Sequence, residues 1–157
     1  MEIADLPEEV RTGNVAKIHD FTAEQVGDHP ALETEDRTIT HAELAERSAE
    51  FAGGLRELGL EEDDRALVYL INGPEFLIAA LGCFKAGVPY SPVNPQYKAH
   101  ELSYQLEDTE AKAVITREVL RENVGGALEQ ADIDAEPTVI TVGDEEHVPE
   151  GDVPFDD

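Results

Sequence analysis

Residues 65–97 read RALVYLINGPEFLIAALGCFKAGVPYSPVNPQY. Their first part, residues 65–71, is a short apolar run of strand-forming residues that ends at the breakers Asn72 and Gly73. Since this run is apolar at successive positions, both faces of the strand must be covered, which is typical of a parallel sheet. The stretch therefore predicts a buried central strand.

A helix with almost no polar face follows this strand. Pro74 suits a first helical position, residues 74–86 are nearly all apolar, and Gly87 is a typical helix stop. The three prolines of residues 88–95 are incompatible with a helix and predict an extended path. The order strand, buried helix, extended segment is the beginning of an α/β unit.

The rest of the chain continues this alternation. An apolar stripe predicts a helix over residues 14–26, and a hairpin is expected over residues 31–39. Thr40 and Glu43 form a capping box that opens a helix ending at Gly59. Further elements are predicted as a helix at 99–108, a strand at 111–116, a helix at 118–131 and a strand at 137–142. We therefore expect an α/β fold with a mostly parallel sheet, flanking helices and a small hairpin near the amino terminus.

This pattern divides the chain into three parts. Residues 1–13 are polar and are interpreted as a lead-in, and residues 14–142 as a partial α/β domain. Residues 143–157 are acidic, carry two prolines and show no periodicity, so we expect a linker or loop there.

The charge is strongly acidic, with 36 acidic residues against 11 basic ones and a formal net charge of −25. These acidic residues are spread over foldable segments, which favours a folded protein from a high-salt cytoplasm over a disordered tail. Nucleic acid is excluded as an expected partner, because the sequence contains no basic patch to neutralise phosphates.

Other features point to a cytoplasmic protein without a transmembrane segment. No apolar stretch approaches the ~20 residues of a membrane-spanning helix, and the acidic first residues do not resemble a signal peptide. The single cysteine, Cys83, excludes an internal disulfide and is interpreted as a small apolar side chain on the buried helix.

Two segments resemble a known family. Residues 84–95, FKAGVPYSPVNP, resemble the second core motif of the AMP-forming acyl-CoA synthetases, the adenylate-forming family. Residues 39–44, ITHAEL, resemble the first motif, with His41 where the family usually has tyrosine. The ending Asn94-Pro95-Gln96-Tyr97 is more similar to the fatty-acyl-CoA ligases than to the peptide-synthetase branch, which tends to place aspartate before that proline. The predicted fold is then the amino-terminal segment of the family's large domain.

The resemblance implies a reaction in which a carboxylic acid and ATP form an acyl-adenylate, and the acyl group then passes to coenzyme A. For the complete enzyme it implies a fatty acid or other carboxylate, ATP, magnesium and coenzyme A. The family's Ser/Thr/Gly-rich phosphate loop ending in Pro-Lys-Gly does not occur in this sequence, nor do its later motifs. Residues 153–157 resemble the connection just before that loop, so we expect a fragment that ends before its own active site and is inactive alone.

No residue stands out as catalytic, cofactor-binding or metal-binding. Lys17, Lys85, Lys98 and Lys112 do not follow a glycine-rich turn, and surface or helix-end roles are the better interpretation. His100-Glu101 begins like a zinc-binding helix, but Tyr104 replaces the second histidine. A paired-carboxylate site at Asp132 and Asp134 would be a guess. The remaining histidines are expected to be solvated and are His19, His29, His41 and His147.

Two alternatives to an isolated ligase fragment remain open. The chain could be a standalone module that binds a small molecule at the strand ends of its α/β domain. It could also be one chain of a split ligase, in which a second chain carries the catalytic part.

The acidic composition predicts salt-dependent folding. Two like charges 10 Å apart repel by about 0.4 kcal/mol in water, and at 1 M salt the Debye length falls to about 3 Å. We therefore expect a helical, cooperatively melting chain in molar KCl and an expanded chain at low ionic strength. Circular dichroism during a KCl titration measures this; full helicity with a sharp melt in dilute buffer would contradict a salt adaptation.

Overall fold

The computed structural model describes residues 6–156. Its six α-helices are α1 (Glu8–Arg11), α2 (Ala16–Val26), α3 (His41–Glu57), α4 (Pro74–Ala86), α5 (Ala99–Thr109) and α6 (Arg121–Gln130). Its seven strands are β1 (Pro30–Glu33), β2 (Thr38–Thr40), β3 (Ala66–Tyr69), β4 (Tyr90–Pro92), β5 (Ala113–Arg117), β6 (Thr138–Val142) and β7 (Val153–Pro154). Single 3₁₀ turns lie at Glu118–Leu120 and Glu145–His147.

Five strands form a parallel sheet in the order β4-β3-β5-β6-β7. The hairpin β1–β2 is antiparallel and forms a separate two-stranded sheet. The predicted fold class, a mostly parallel α/β sheet with flanking helices and a small amino-terminal hairpin, is confirmed.

Strand β3 is buried on both faces, as its sequence predicts. Ala66 and Val68 belong to a core formed with α3 and α4, whereas Leu67 and Tyr69 belong to a second core formed with α5 and α6. Because neighbouring side chains of a strand point to opposite faces, α3 and α4 cover one face of the sheet and α5 and α6 cover the other.

Helix α4 has the bounds that its sequence predicts. Pro74 occupies its first turn, and Gly87 ends it with φ 76°, the left-handed conformation that glycine adopts without strain. Its apolar side chains are covered by the sheet and by α3, which approaches closely at Gly82. A Cβ atom on Gly82 would lie 2.6 Å from Cδ1 of Phe51 and 3.1 Å from the carbonyl oxygen of Ser48. The absence of a side chain at position 82 therefore permits the α3–α4 contact.

The predicted linker at residues 143–157 contains ordered structure. Strand β7 pairs with β6, and the buried Phe155 packs its ring 4.8 Å from that of Phe51 on α3. A two-residue strand has no periodicity to detect, which explains why the sequence indicates only a loop. At the other end, residues 1–5 of the predicted lead-in lie outside the described residues, and residues 8–11 form α1 with Val10 buried.

Smaller differences concern helix ends. The helix predicted at residues 118–131 begins as the 3₁₀ turn and becomes α-helical only at Arg121. At the start of α3 the amide of Glu43 donates to Thr40 Oγ1, as in the predicted capping box. The Glu43 carboxylate pairs instead with Arg37, at 2.8 Å, so only half of the box is formed. Among the residues described, no helix is long and apolar enough to cross a membrane.

Substitution of two helical glycines tests the α3–α4 contact. Gly82→Ala should lower the free energy of unfolding by about 1–3 kcal/mol, because the new methyl group overlaps Phe51 and the α3 backbone. Gly53→Ala is the matched control, since no atom lies within 4 Å of a Cβ there and a helical alanine should raise stability by about 0.5–1 kcal/mol. Thermal melts in molar KCl compare both variants, and equal stabilisation by both would contradict the close contact.

Candidate functional site at the carboxyl edge of the sheet

The carboxyl ends of β3 and β5 lie side by side at a change of direction in the chain. From β3 the chain enters α4 on one face of the sheet, whereas from neighbouring β5 it enters α6 on the other. In open parallel sheets, ligands bind in the crevice that such a divergence creates. This edge is therefore the candidate site of the fold.

A row of three hydroxyl side chains crosses this edge beneath α5 and α6. Tyr69, Thr116 and Thr141 are register partners on β3, β5 and β6, and all three are fully buried. The Tyr69 hydroxyl donates to the carbonyl oxygen of Tyr97 at 2.5 Å and accepts from Asn123 at 3.0 Å. Burial raises the pKa of Tyr69, with the Asn123 hydrogen bond acting in the opposite direction, so this phenol stays protonated at neutral pH.

The middle member of the row differs from its neighbours. Thr116 Oγ1 is buried and has no hydrogen-bond partner within the part of the chain that the structure describes. An unpaired buried hydroxyl costs about 1–3 kcal/mol. The hydroxyl row therefore contains one unsatisfied position between two satisfied ones.

The third member of the row belongs to a buried ionic network. Thr141 Oγ1 donates to Asp152 Oδ2 at 2.6 Å, and Arg121 donates to both oxygens of Asp152 at 2.6 and 2.8 Å. The Asp152 side chain is 3% exposed. Its hydrogen bond raises the pKa of Arg121. The network joins the start of α6 to the segment that leads into β7.

A second ionic cluster lies at the first turn of α4. Glu75 lies 3.5 Å from Arg117 at the end of β5 and 3.9 Å from Arg37 in the β1–β2 turn. A carboxylate in the first turn also interacts favourably with the helix dipole. Both arginines of this cluster thus have a carboxylate of the chain itself as a neighbour.

The polar side chains at this edge mostly form hydrogen bonds and ion pairs with one another and with the backbone. Within residues 6–156, no group of three or more His, Cys, Asp and Glu side chains is arranged to hold a metal ion. The edge fixes the loops after β3 and β5 in place, and its polar groups have structural roles. Sequence reasoning missed both networks, because their members are brought together only by strand register.

The four lysines occupy structural positions. Lys85, at the end of α4, pairs with Asp20 of α2 at 2.7 Å and donates to the carbonyl oxygen of Ala45 on α3 at 2.9 Å. Lys112 pairs with Asp64 at 2.8 Å, which lowers the pKa of Asp64. Lys17 and Lys98 are exposed.

The expectation of solvated histidines is wrong for two of them. The rings of His19 on α2 and His41 on α3 lie 5.6 Å apart, and both nitrogens of His19 and Nδ1 of His41 are buried. The hairpin between these helices folds α3 back against α2, which a 22-residue separation in sequence does not reveal. His29, His100 and His147 are exposed. His100 lies edge-on to Tyr104, with ring centroids 4.9 Å apart.

Two other residues singled out by the sequence have clear surroundings. Cys83 is fully buried, and burial raises the pKa of its thiol to about 12, so it is not a nucleophile at neutral pH. Asn94 shapes the turn after β4: its side chain accepts from the amide of Gln96 at 2.9 Å and its carbonyl oxygen accepts from that of Tyr97 at 3.0 Å.

Comparison with known proteins defines the family of this fold. The family model described as "AMP-binding enzyme" matches residues 20–157. The chain belongs to this family of AMP-binding enzymes. The match covers both motif segments and the whole parallel sheet.

Relatives within the family differ in the compounds that their names give. The chain is 35% identical to an acetyl-coenzyme A synthetase from Rubrobacter xylanophilus, over 80% of this chain and 20% of that protein. It is 32% identical to tyrocidine synthase 2 from Brevibacillus parabrevis, over 76% of this chain and 3% of that protein. Among solved structures, a benzoate CoA ligase from Burkholderia xenovorans LB400 is 28% identical, with a TM-score of 0.79 over 90% of this chain and 27% of that chain. This member of the family thus spans a minor part of the relatives that it matches.

The buried network gives a prediction about stability. Asp152→Ala should destabilise the chain by about 3 kcal/mol, because it leaves the half-buried guanidinium of Arg121 and the buried hydroxyl of Thr141 without their acceptor. Asp144→Ala is the matched control: its side chain is 92% exposed, so a change within about 0.5 kcal/mol is expected. Denaturant melts of both variants measure this, and equal effects would show that the network does not stabilise the fold.

Proposed function

We propose that this chain is the amino-terminal part of the large domain of an AMP-forming carboxylate–CoA ligase. The observation that best supports the proposal is the share of a relative that the chain covers. The chain, which carries both motif segments and a five-stranded parallel sheet, covers 27% of the length of the benzoate CoA ligase. The activity belongs to the longer protein, and this chain contributes a framework to it.

The framework role follows from the structural positions of the two motif segments. Residues 39–44 supply β2, the Thr40 cap and the first turn of α3. Residues 84–95 supply the end of α4, strand β4 and the turn shaped by Asn94. Each segment sets the direction of the chain at the end of a helix or strand. We therefore assign no catalytic, cofactor-binding or metal-binding residue to this chain.

A fatty acid is the substrate that we propose for the longer protein. The support is the ending Asn94-Pro95-Gln96-Tyr97, which is similar to the fatty-acyl-CoA ligases. Asn94 is exposed and bonded to its own turn, so in this proposal it marks a branch of the family through local structure.

ATP, magnesium and coenzyme A are proposed as the nucleotide, metal and acyl acceptor of the longer protein. In the AMP-forming ligases, ATP supplies the adenylyl group that activates the carboxylate. The donor set for magnesium does not fit the described residues of this chain, where no cluster of metal-binding side chains occurs. We derive no step through the metal here.

The far edge of β7 is where we place the remainder of the domain. Beside this edge, α3 and the sheet border a groove of about 320 Å³, whose apolar lining includes Phe51, Leu55, Ile78 and Ile140. An unpaired strand edge beside apolar side chains suits an added extended segment. In the proposed ligase, the occupant is a segment of the same domain.

A second candidate function is amino-acid adenylation in a peptide synthetase. It is favoured by the relatives that are synthases of tyrocidine, gramicidin S, bacitracin and surfactin. Both candidates share carboxylate activation by ATP and differ in the acid that is activated.

The proposal predicts that this chain alone does not activate a carboxylate. Isotope exchange between pyrophosphate and ATP, measured with fatty acids, acetate, benzoate and amino acids, should stay at the level of a blank without enzyme. The physical reason is that no phosphate-binding loop of the family occurs in the 157 residues. A benzoate CoA ligase with benzoate is the positive control. Exchange clearly above the blank would overturn the framework role.

Coexpression with the polypeptide encoded immediately downstream separates the alternatives. Exchange restored with fatty acids supports the ligase, including its split form, whereas exchange restored with amino acids supports the second candidate. An unrelated downstream protein, together with small-molecule binding by this chain alone, would favour a standalone binding module over both.

A further inference from the structure

A pair of imidazole rings lies where three helices meet. His19 of α2 faces His41 of α3, with ring centroids 5.6 Å apart and planes tilted by 41°. Both nitrogens of His19 and Nδ1 of His41 are buried, and none of the three has a hydrogen-bond partner within the described residues. A neutral imidazole tolerates this position better than a charged one, because the charged form has two N–H groups that both require acceptors.

The charged groups around the pair do not supply an acceptor. Lys85 of α4 repels a proton on His19. Asp20 of α2 attracts it, but its Oδ1 is 2.7 Å from Lys85 Nζ. Lys85 also donates to the carbonyl oxygen of Ala45 on α3. Lys85 and Asp20 are therefore already paired with each other, and Lys85 is bonded to the α3 backbone as well.

Contacts close to this histidine pair attach α2 to the rest of the molecule. Asn14, just before α2, donates to the carbonyl oxygen of Phe84, and Asp20 pairs with Lys85 at the end of α4. Val15, just before the helix, and Ile18 are 49% and 46% accessible, whereas Ala16 is buried and Phe21 and Val26 are half-buried. Docking of α2 therefore combines this apolar packing with a few polar links and the packing of His19.

The loop after α2 couples this helix to the start of α3. The carbonyl oxygens of Gly27 and His29 accept hydrogen bonds from the amides of Ala42 and His41, each at 3.0 Å. These amides belong to the first turn of α3, and amides of a first turn have no acceptor within their own helix. Movement of α2 would consequently reach the segment that carries the first family motif.

We infer that the His19–His41 pair is an acid-sensitive latch: protonation of His19 within this three-helix contact releases α2 from α3 and α4. The incoming proton places a positive charge beside Lys85 and creates buried N–H groups without acceptors, and both effects are relieved when α2 leaves. The latch is independent of the reaction proposed above, because it rests on contacts among α2, α3 and α4 only.

The direction of the pH effect follows from the charge balance. Burial, His41 and Lys85 lower the pKa of His19 below 6.5, in that order of importance, and Asp20 opposes them. The released helix therefore binds a proton more readily than the docked one. Docking is at full strength above the ordinary histidine pKa and weakens as the pH falls below it, by up to about tenfold per pH unit for one proton.

Hydrogen exchange measured by mass spectrometry tests the latch in molar KCl. Exchange rates at about pH 7.5 and pH 5.5, values on either side of the histidine pKa, are divided by the intrinsic rates at each pH. We expect protection of the α2 amides to fall at the lower pH, with α5 on the opposite face of the sheet as the internal reference. Unchanged α2 protection, or an equal loss in α2 and α5, would overturn the latch.

Two variants separate the histidine pair from the many carboxylates. His19→Leu, which cannot be protonated, should keep α2 protected at both pH values, whereas His29→Gln, at an exposed position, should leave the response as in the wild type. A response that persists in folded His19→Leu overturns the latch. If that variant does not fold, NMR titration of the wild-type imidazoles decides the question: His19 must titrate below 6.5, and titration at or above that value overturns the latch.

Discussion

Strand β3 is buried on both faces, and this constraint determines the arrangement of the other elements. Its four residues are fully inaccessible, so each face needs its own layer of helices. Helices α3 and α4 supply one layer, and α5 and α6 supply the other. Because the chain must change faces beside β3, the carboxyl ends of β3 and β5 diverge there. The position of the candidate site therefore follows from the burial of the four β3 side chains and does not depend on any functional residue.

Local signals in the sequence were sufficient for the elements around β3. Pro74 and Gly87 predict both ends of α4, and the positive φ angles of Gly59 and Gly87 explain why glycine ends α3 and α4. The Thr40 cap is likewise confirmed by its hydrogen bond. Each of these features depends on residues a few positions apart, whose conformations are restricted by sterics and by hydrogen bonds within one turn. Such restrictions act in the same way before and after the chain folds.

Contacts between distant residues were not predictable in this way. Strand β7 has two residues and exists because β6 offers an edge, while the His19–His41 pair requires the hairpin to reverse the chain. Asp152 meets Arg121 only after β6 and α6 have packed. The motif segments also leave the substrate undefined in physical terms. Their side chains cap a helix and close a turn, so they do not specify which acid is activated.

The scarce positive charges show how a chain with a net charge of −25 remains compact. Six of the eleven lysines and arginines pair with carboxylates, and several pairs join elements far apart in sequence, as Lys85 does with Asp20 and Arg47 with Asp156. Exposed pairs contribute little and weaken further in salt, whereas the partly buried Arg121–Asp152 pair is screened much less. Salt thus removes repulsion among the surface carboxylates while the internal links persist. Added salt therefore weakens the repulsion among surface carboxylates more than it weakens the partly buried ion pairs and the apolar contacts that stabilise the fold.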